Sequence, residues 1–175
     1  MLQQIKPNIW QLEFAQFGSA VYLLKLDGKN ILIDTSTRQN RTELIKDLQE
    51  LNLKPEDINI LLLTHGHFDH VENMDIFTNA KFFGSKKDFS NCEDVKDIRG
   101  QPFYELKLIE TPGHTFGSVC LYMPKEKILF SGDTIFHKGG IGRTDFPNSS
   151  PKDMRSSLEK LENLEIKTLC PGHLD

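Results

Sequence analysis

The segment Leu63–His70, LTHGHFDH, places three histidines and an aspartate within six consecutive residues of a chain that has six histidines in all. Packing gives no reason to set three imidazoles so close together. Metal binding does, because imidazole nitrogens and carboxylate oxygens are the donors that zinc, iron and manganese take. Further His and Asp residues recur in one setting, where an apolar run ends at a glycine beside a potential ligand. ILLLT runs into His65-Gly66-His67, LKLIE into Thr111-Pro112-Gly113-His114, KILFS into Gly132-Asp133, and IKTLC into Pro171-Gly172-His173. Glycine permits the φ > 0 turns and close backbone approach that aim a side chain across a strand end. Four such ends converging on one point gather His65, His67, Asp69, His70, His114, Asp133 and His173. Seven donors exceed what one tetrahedral ion takes and suit two ions sharing a carboxylate. Singly, some of these residues have plainer readings: Asp69 as the cap of a helix starting near Val71, Gly132-Asp133 as an ordinary turn. His137 lacks the setting and reads as a loop residue.

The elements that must position these residues are legible in outline. AVYLLKL and ILIDTS flank Asp27-Gly28 and predict a hairpin. NRTELIKDLQELNL carries Leu44, Ile45, Leu48 and Leu51 at helical spacing, with Asn40 and Glu43 as a capping box. INILLLT reads as a buried strand, VENMDIFTN as a helix, and KFF, YELKLIE, SVCLYMP and KILFS as successive strands. SPKDMRSSLEKLENL predicts a second helix capped by Ser150 with Pro151 in its first turn, and IKTLC a last strand. Tyr122 sits mid-strand and is expected in the core. Strands outnumber helices, which predicts a sheet-rich α/β sandwich. No linker or low-complexity stretch interrupts the 175 residues, so a single domain over 1–175 is expected.

Composition narrows the function. An apolar share of 38% and a charged share of 26% are those of a soluble globular protein, and no apolar run approaches the ~20 residues of a membrane helix. The start, MLQQIKPNIW, shows no signal-peptide pattern. Cys92, Cys120 and Cys170 are widely spaced and odd in number, which argues against a disulfide framework and for a reducing cytoplasm. A net charge of −4 counts against a nucleic-acid surface, and Lys86-Lys87 reads as a solvated turn.

HGHFDH, together with the later His114, Asp133 and His173, resembles the H-x-H-x-D-H pattern of the metallo-β-lactamase superfamily, over essentially the whole chain. That resemblance implies an αββα sandwich with a metal centre at one edge. It implies that His65, His67 and His114 hold one ion, that Asp69, His70 and His173 hold a second, and that Asp133 bridges them. The ions are expected to be two divalent metals, zinc first, with iron or manganese as alternatives. Within the superfamily, GDTIFHKGGIGRTDFPNSS is similar to the small glyoxalase II-like hydrolases and the persulfide dioxygenases, which carry Gly-Arg-Thr/Ser-Asp-Phe where this chain has Gly142–Phe146. The sequence ends two residues after His173, ahead of where full-length glyoxalase II continues into a glutathione-gripping helical domain.

The resemblance therefore implies a metal-dependent hydrolase of a small thioester or ester, acting through a bridging hydroxide, as a monomer or homodimer. Asp69 is the expected catalytic group, orienting the hydroxide and taking up its proton. Arg143 is the candidate for a substrate carboxylate; the competing reading pairs it with Asp145. The first rival is a mononuclear iron persulfide dioxygenase using His65, His114 and Asp133, a two-His-one-carboxylate set. A lactonase, weak β-lactam hydrolysis and a nuclease follow. A closed structural zinc site is disfavoured, because such sites use four ligands, usually rich in cysteine.

Overall fold

Apolar runs become strands in the computed structural model, which describes residues 1–103 and 105–174. The chain divides into two units. The first comprises Met1–Leu63, His67–Phe83 and Asp94–Lys96, and the second comprises Thr64–Gly66, Gly84–Glu93 and Asp97–Asp175.

The first unit is built on strands β1 (Leu2–Lys6), β2 (Ile9–Leu12), β3 (Val21–Leu26), β4 (Lys29–Ile33), β5 (Ile60–Leu62), β6 (Lys81–Gly84) and β7 (Val95–Asp97). They lie side by side in chain order in one sheet. The predicted hairpin is β3–β4, antiparallel, with Asp27 and Gly28 at φ 47° and 70°. Two successive positive φ values match the twist of the flanking strands. Helix α1 (Arg41–Glu50) connects β4 to β5, which pair in parallel, as β5 does with β6. Ile31, Leu32, Ile33, Leu61 and Leu62 are fully buried, as expected of strands covered on both faces. Leu44 and Leu48 of α1 are also fully buried, each burial being worth roughly 1.5–3 kcal/mol.

The second unit carries a four-stranded sheet of β8 (Lys107–Glu110), β9 (Val119–Met123), β10 (Ile128–Gly132) and β11 (Thr168–Pro171), in the order β11-β10-β9-β8. Helix α3 (Pro151–Glu162) precedes β11, with Ser150 Oγ accepting from Asp153 N at 3.2 Å. Cys120, Tyr122, Leu129 and Leu161 form a buried cluster, and the Tyr122 hydroxyl donates to Glu165 O at 2.8 Å. Tyr122 is thus a core residue. Among the described residues no helix is long and apolar enough to cross a membrane.

Three local expectations change. Asn40 does not cap α1; its Nδ2 donates instead to Gln16 O, Phe17 O, Ser36 Oγ and Thr37 Oγ1, while Glu43 Oε2 accepts from Ala15 N. Tertiary partners outcompete the capping box there. VENMDIFTN does not form one helix: α2 (Phe68–Val71) is a single turn, followed by a 3-10 turn at Met74–Ile76. β1, β2 and β7 are strands that the residue pattern does not announce, and the Tyr104 start of the YELKLIE strand lies outside the described residues.

Candidate metal centre

In the first unit, α2 delivers Asp69 and His70. Four residues are too few to hold a helix by propensity, so its place is set by neighbours. The Ser19 amide donates to Asp69 O at 3.0 Å and the Thr35 amide to His70 O at 2.7 Å. Asn73 Nδ2 donates to Thr35 O and Thr37 O at 2.8 and 2.7 Å, closing the same loop. His67 stands at the N-cap position and Asp69 inside the first turn, so Asp69 is not the cap. Asp69 and His70 are buried, and His67 is partly buried. His70 Nδ1 lies 2.8 Å from Asp34 Oδ2, a carboxylate held in the left-handed region at φ 60°. A non-glycine residue there carries backbone strain of about 1–3 kcal/mol, which the surrounding hydrogen bonds must offset.

In the second unit, His65, His114, Asp133 and His173 come from four strand ends. Gly172 N donates to Gly132 O at 2.8 Å, which sets the ends of β10 and β11 side by side and with them Asp133 and His173. Gly132 takes φ +49°, and a Cβ there would stand 2.7 Å from the Thr64 side chain, so this strand end admits only glycine. Helix α3 braces the His114 turn: Ser150 N donates to Gly113 O at 2.8 Å and Ser157 Oγ to Pro112 O at 2.7 Å. The expected glycine device is therefore realised in two physical ways. Gly113 and Gly132 have positive φ, whereas Gly66 and Gly172 do not.

The rings meet. His65 and His114 pack edge to face with centroids 4.9 Å apart. His114 Nε2 and His173 Nε2 lie 3.4 and 3.5 Å from the same atom, Asp133 Oδ2. His65, His114 and Asp133 are buried, whereas the His173 side chain is 27% exposed. The second unit thus brings His65, His114, Asp133 and His173 together, and in the first unit Asp69 and His70 share the one turn of α2, with His67 at its N-cap. His137 lies apart in an exposed 3-10 turn.

Arg143 makes a two-pronged pair with Asp145, at 3.0 and 2.7 Å, over the Phe146 ring. That hydrogen-bonded partner holds the Asp145 carboxyl below the usual carboxylate range. The guanidinium is exposed, and it is the Arg143 carbonyl that reaches inward, 2.8 Å from His114 Nδ1. Two supports went unread in the sequence: Asp34 and this carbonyl. Asp34 ends the run ILID much as Asp133 ends KILFSGD, but with no glycine to mark it.

The sequence pattern of the metallo-beta-lactamase superfamily matches residues 15–87 and 74–173. The chain belongs to that superfamily. A probable metallo-hydrolase of Methanocaldococcus jannaschii is 38% identical over 145 residues, covering 82% of this chain and 70% of the relative. A hydroxyacylglutathione hydrolase of Buchnera aphidicola is 32% identical over 165 residues, 87% of this chain; the match spans 61% of that protein's length. The crystal structure of TTHA1623 in a di-iron-bound form has a TM-score of 0.78 and 26% identity, over 90% of this chain and 88% of that one. The architecture is accordingly the metallo-β-lactamase fold, mixed α/β with two sheets.

Metallo-β-lactamase superfamily members bind divalent metals, typically two, and the residues present fit such ions. A backbone carbonyl only accepts, so His114 Nδ1 donates to Arg143 O, and it is Nε2 that faces Asp133 and, in the neutral ring, offers a lone pair to an ion. An imidazole nitrogen and a carboxylate oxygen 3.4 Å apart are donors of the kind a divalent ion takes. His70 repeats the arrangement with Asp34 behind it, and ligating imidazoles are typically backed by just such a carboxylate or carbonyl.

Proposed function

We propose that the chain is a two-metal hydrolase of a small thioester or ester, of the glyoxalase II type. In this reading His65, His67 and His114 hold one ion, Asp69, His70 and His173 the other, and Asp133 both. The observation that carries it is Asp133 Oδ2, placed 3.4 and 3.5 Å from one imidazole of each set. When bound, divalent ions lower the pKa of water from 15.7 toward about 7 and polarise a carbonyl.

The remaining chemistry falls to the chain. Asp69, buried on α2 with its own carbonyl fixed by Ser19, orients the attacking water and takes its proton at the carboxylate. Asp34 and the Arg143 carbonyl hold His70 and His114 in one ring orientation each. The His173 side chain is partly exposed, which suits contact with an entering substrate. A substrate carboxylate reaches the Arg143 guanidinium by displacing Asp145, an exchange that an exposed pair allows. The relatives named as metallo-hydrolase and hydroxyacylglutathione hydrolase support hydrolysis and a thioester. Cys92, Cys120 and Cys170 are all free thiols, which supports a reducing cytoplasm.

A second reading, a mononuclear iron persulfide dioxygenase using His65, His114 and Asp133, draws support from that donor set, since two histidines and a carboxylate hold non-haem iron, and from the presence of iron, as a di-iron form, in the similar TTHA1623. One experiment separates them. Metal content is measured on protein as purified, and S-lactoylglutathione, a homoserine lactone, a β-lactam and glutathione persulfide are assayed side by side. Two ions per chain and thioester turnover are expected, with Asp69→Ala cutting turnover more than it lowers the melting temperature. A single iron with persulfide-dependent O₂ uptake overturns the hydrolase reading.

A further inference from the structure

Asp88 lies four residues beyond the end of β6, partly buried, in a stretch that the site chemistry does not otherwise use. Its carboxylate accepts three hydrogen bonds. Oδ2 takes the Gly66 amide at 3.0 Å and the Thr115 hydroxyl at 2.6 Å, and Oδ1 takes the Gly117 amide at 2.8 Å. Gly66 stands between His65 and His67, and Thr115 directly follows His114. His65, His67 and His114 therefore each have a sequence neighbour bound to this one side chain.

The two glycines are shaped to admit it. A Cβ at Gly66 would stand 3.0 Å from Asp88 Cβ, and one at Gly117 would stand 2.5 Å from Asp88 Oδ1. Any larger residue at Gly117 would displace the carboxylate itself. Thr115 is further fixed by its own amide donating to Ser118 Oγ at 3.0 Å, and Val119 N donates to Thr64 O at 2.9 Å just before His65. The two histidine-bearing segments are thus tied by main chain on one side and by Asp88 on the other. A carboxylate accepting from amides and a hydroxyl makes charge-assisted bonds, stronger than neutral ones.

We infer that Asp88 is a positioning residue that sets the spacing of His65, His67 and His114 as donors to one metal ion. This rests on the metal-centre reading above, and it assigns a role in ion affinity to a residue outside the seven candidates. A staple that served the fold alone would shift the melting temperature and leave metal affinity and ligand geometry untouched.

The test uses the full chain as wild type, Asp88→Ala, Asp88→Asn and Thr115→Val. Each is stripped and titrated with Co²⁺ against a chromophoric chelator, with visible d–d spectra, far-ultraviolet circular dichroism and thioester turnover recorded on the same samples. Asp88→Ala is expected to lower Co²⁺ affinity ~10–100-fold, the range for residues that support metal ligands, with altered d–d bands and unchanged secondary structure. Asp88→Asn keeps one acceptor oxygen and should fall between it and wild type; Thr115→Val, losing one bond of three, should lose only a few-fold. Wild-type affinity and spectrum in Asp88→Ala overturn the inference. Should that variant fail to fold, wild-type values in both Asp88→Asn and Thr115→Val overturn it equally. Tight cobalt binding that is weakened by Asp88→Ala, in a wild type that hydrolyses no thioester, upholds Asp88 while removing the hydrolase reading. Active wild type with undiminished affinity in Asp88→Ala does the reverse.

Discussion

His70 and His114 are both buried imidazoles whose Nδ1 is anchored at 2.8 Å, yet the two regions anchor them with different materials. The first uses a carboxylate, Asp34, on a strained left-handed backbone. The second uses the main-chain carbonyl of Arg143. A carboxylate anchor makes the imidazole a more basic ligand, but it requires a buried acid and a backbone that L-residues avoid. A carbonyl anchor needs no side chain. It needs close approach instead: a Cβ at Gly142 would overlap the Asp133 carbonyl oxygen and stand 2.9 Å from His114 Nδ1. One region writes its support in a side chain and the other in the absence of one, so they should fail differently under mutation.

The largest expected effects test whether the two imidazoles belong to one centre at all. His70→Ala and His114→Ala should each reduce turnover by more than ~100-fold, beyond what losing a supporting residue costs, and lower bound metal. Plasma emission on dialysed protein beside a thioester assay reads both; full activity in either variant breaks the comparison. Next comes the carboxylate anchor. Asp34→Asn keeps a residue that tolerates φ > 0 but removes the charge, and should weaken metal binding ~10–100-fold with the fold intact. A chelator competition showing no change would make Asp34 a loop residue only.

Those two anchors also mark where sequence reading stops. The seven candidate ligands were legible because metal chemistry restricts residue type and the four strand ends share a pattern. Asp34 shares the strand end but not the glycine, and aspartate, though it tolerates φ > 0, is too common elsewhere to mark a left-handed backbone. The Arg143 carbonyl could not be read at all, since every residue has one; what the sequence showed was the guanidinium, which pairs with Asp145. Asn40 and Glu43 matched a capping box by spacing, but both side chains serve the neighbouring 15–18 loop and the strand-end turn. Helix α2 misled for a related reason. Its four residues are held by Ser19 and Thr35 from distant positions, so no local periodicity sets its length.

A buried aspartate without an imidazole sharpens what Asp34 gains from His70. Asp47 of α1 is buried, with no hydrogen-bond partner on Oδ2, and burial pushes its carboxyl above the usual range, with Glu43 and Glu50 adding to the rise and the N-terminal ammonium opposing it. A raised carboxyl contributes stability that is full below its unfolded pKa and lost as pH climbs through the folded one. At neutral pH it is therefore a burden. Asp47→Asn should stabilise the fold by about 1 kcal/mol at pH 7, the low end for a buried polar atom without a hydrogen-bond partner, and by nothing near pH 3. Thermal melts across that range check it; a gain independent of pH would place the effect elsewhere than in the charge.

The smallest expected effect is the most pointed for the second region. If main chain alone anchors His114, then Arg143→Ala leaves metal content, cobalt spectrum and melting temperature at wild-type values, because the carbonyl remains and the lost pair is exposed on both sides. The guanidinium's own part is then isolated in the kinetics. A thioester bearing a carboxylate should show a raised KM at unchanged kcat, as expected when a contact is lost equally from ground and transition states, while an uncharged thioester shows neither change. An unchanged KM for both substrates would leave the side chain as the partner of Asp145 alone. A loss of metal would show instead that the pair with Asp145 is what holds the carbonyl in place, and the contrast between the two anchors would dissolve, since both would then depend on a carboxylate.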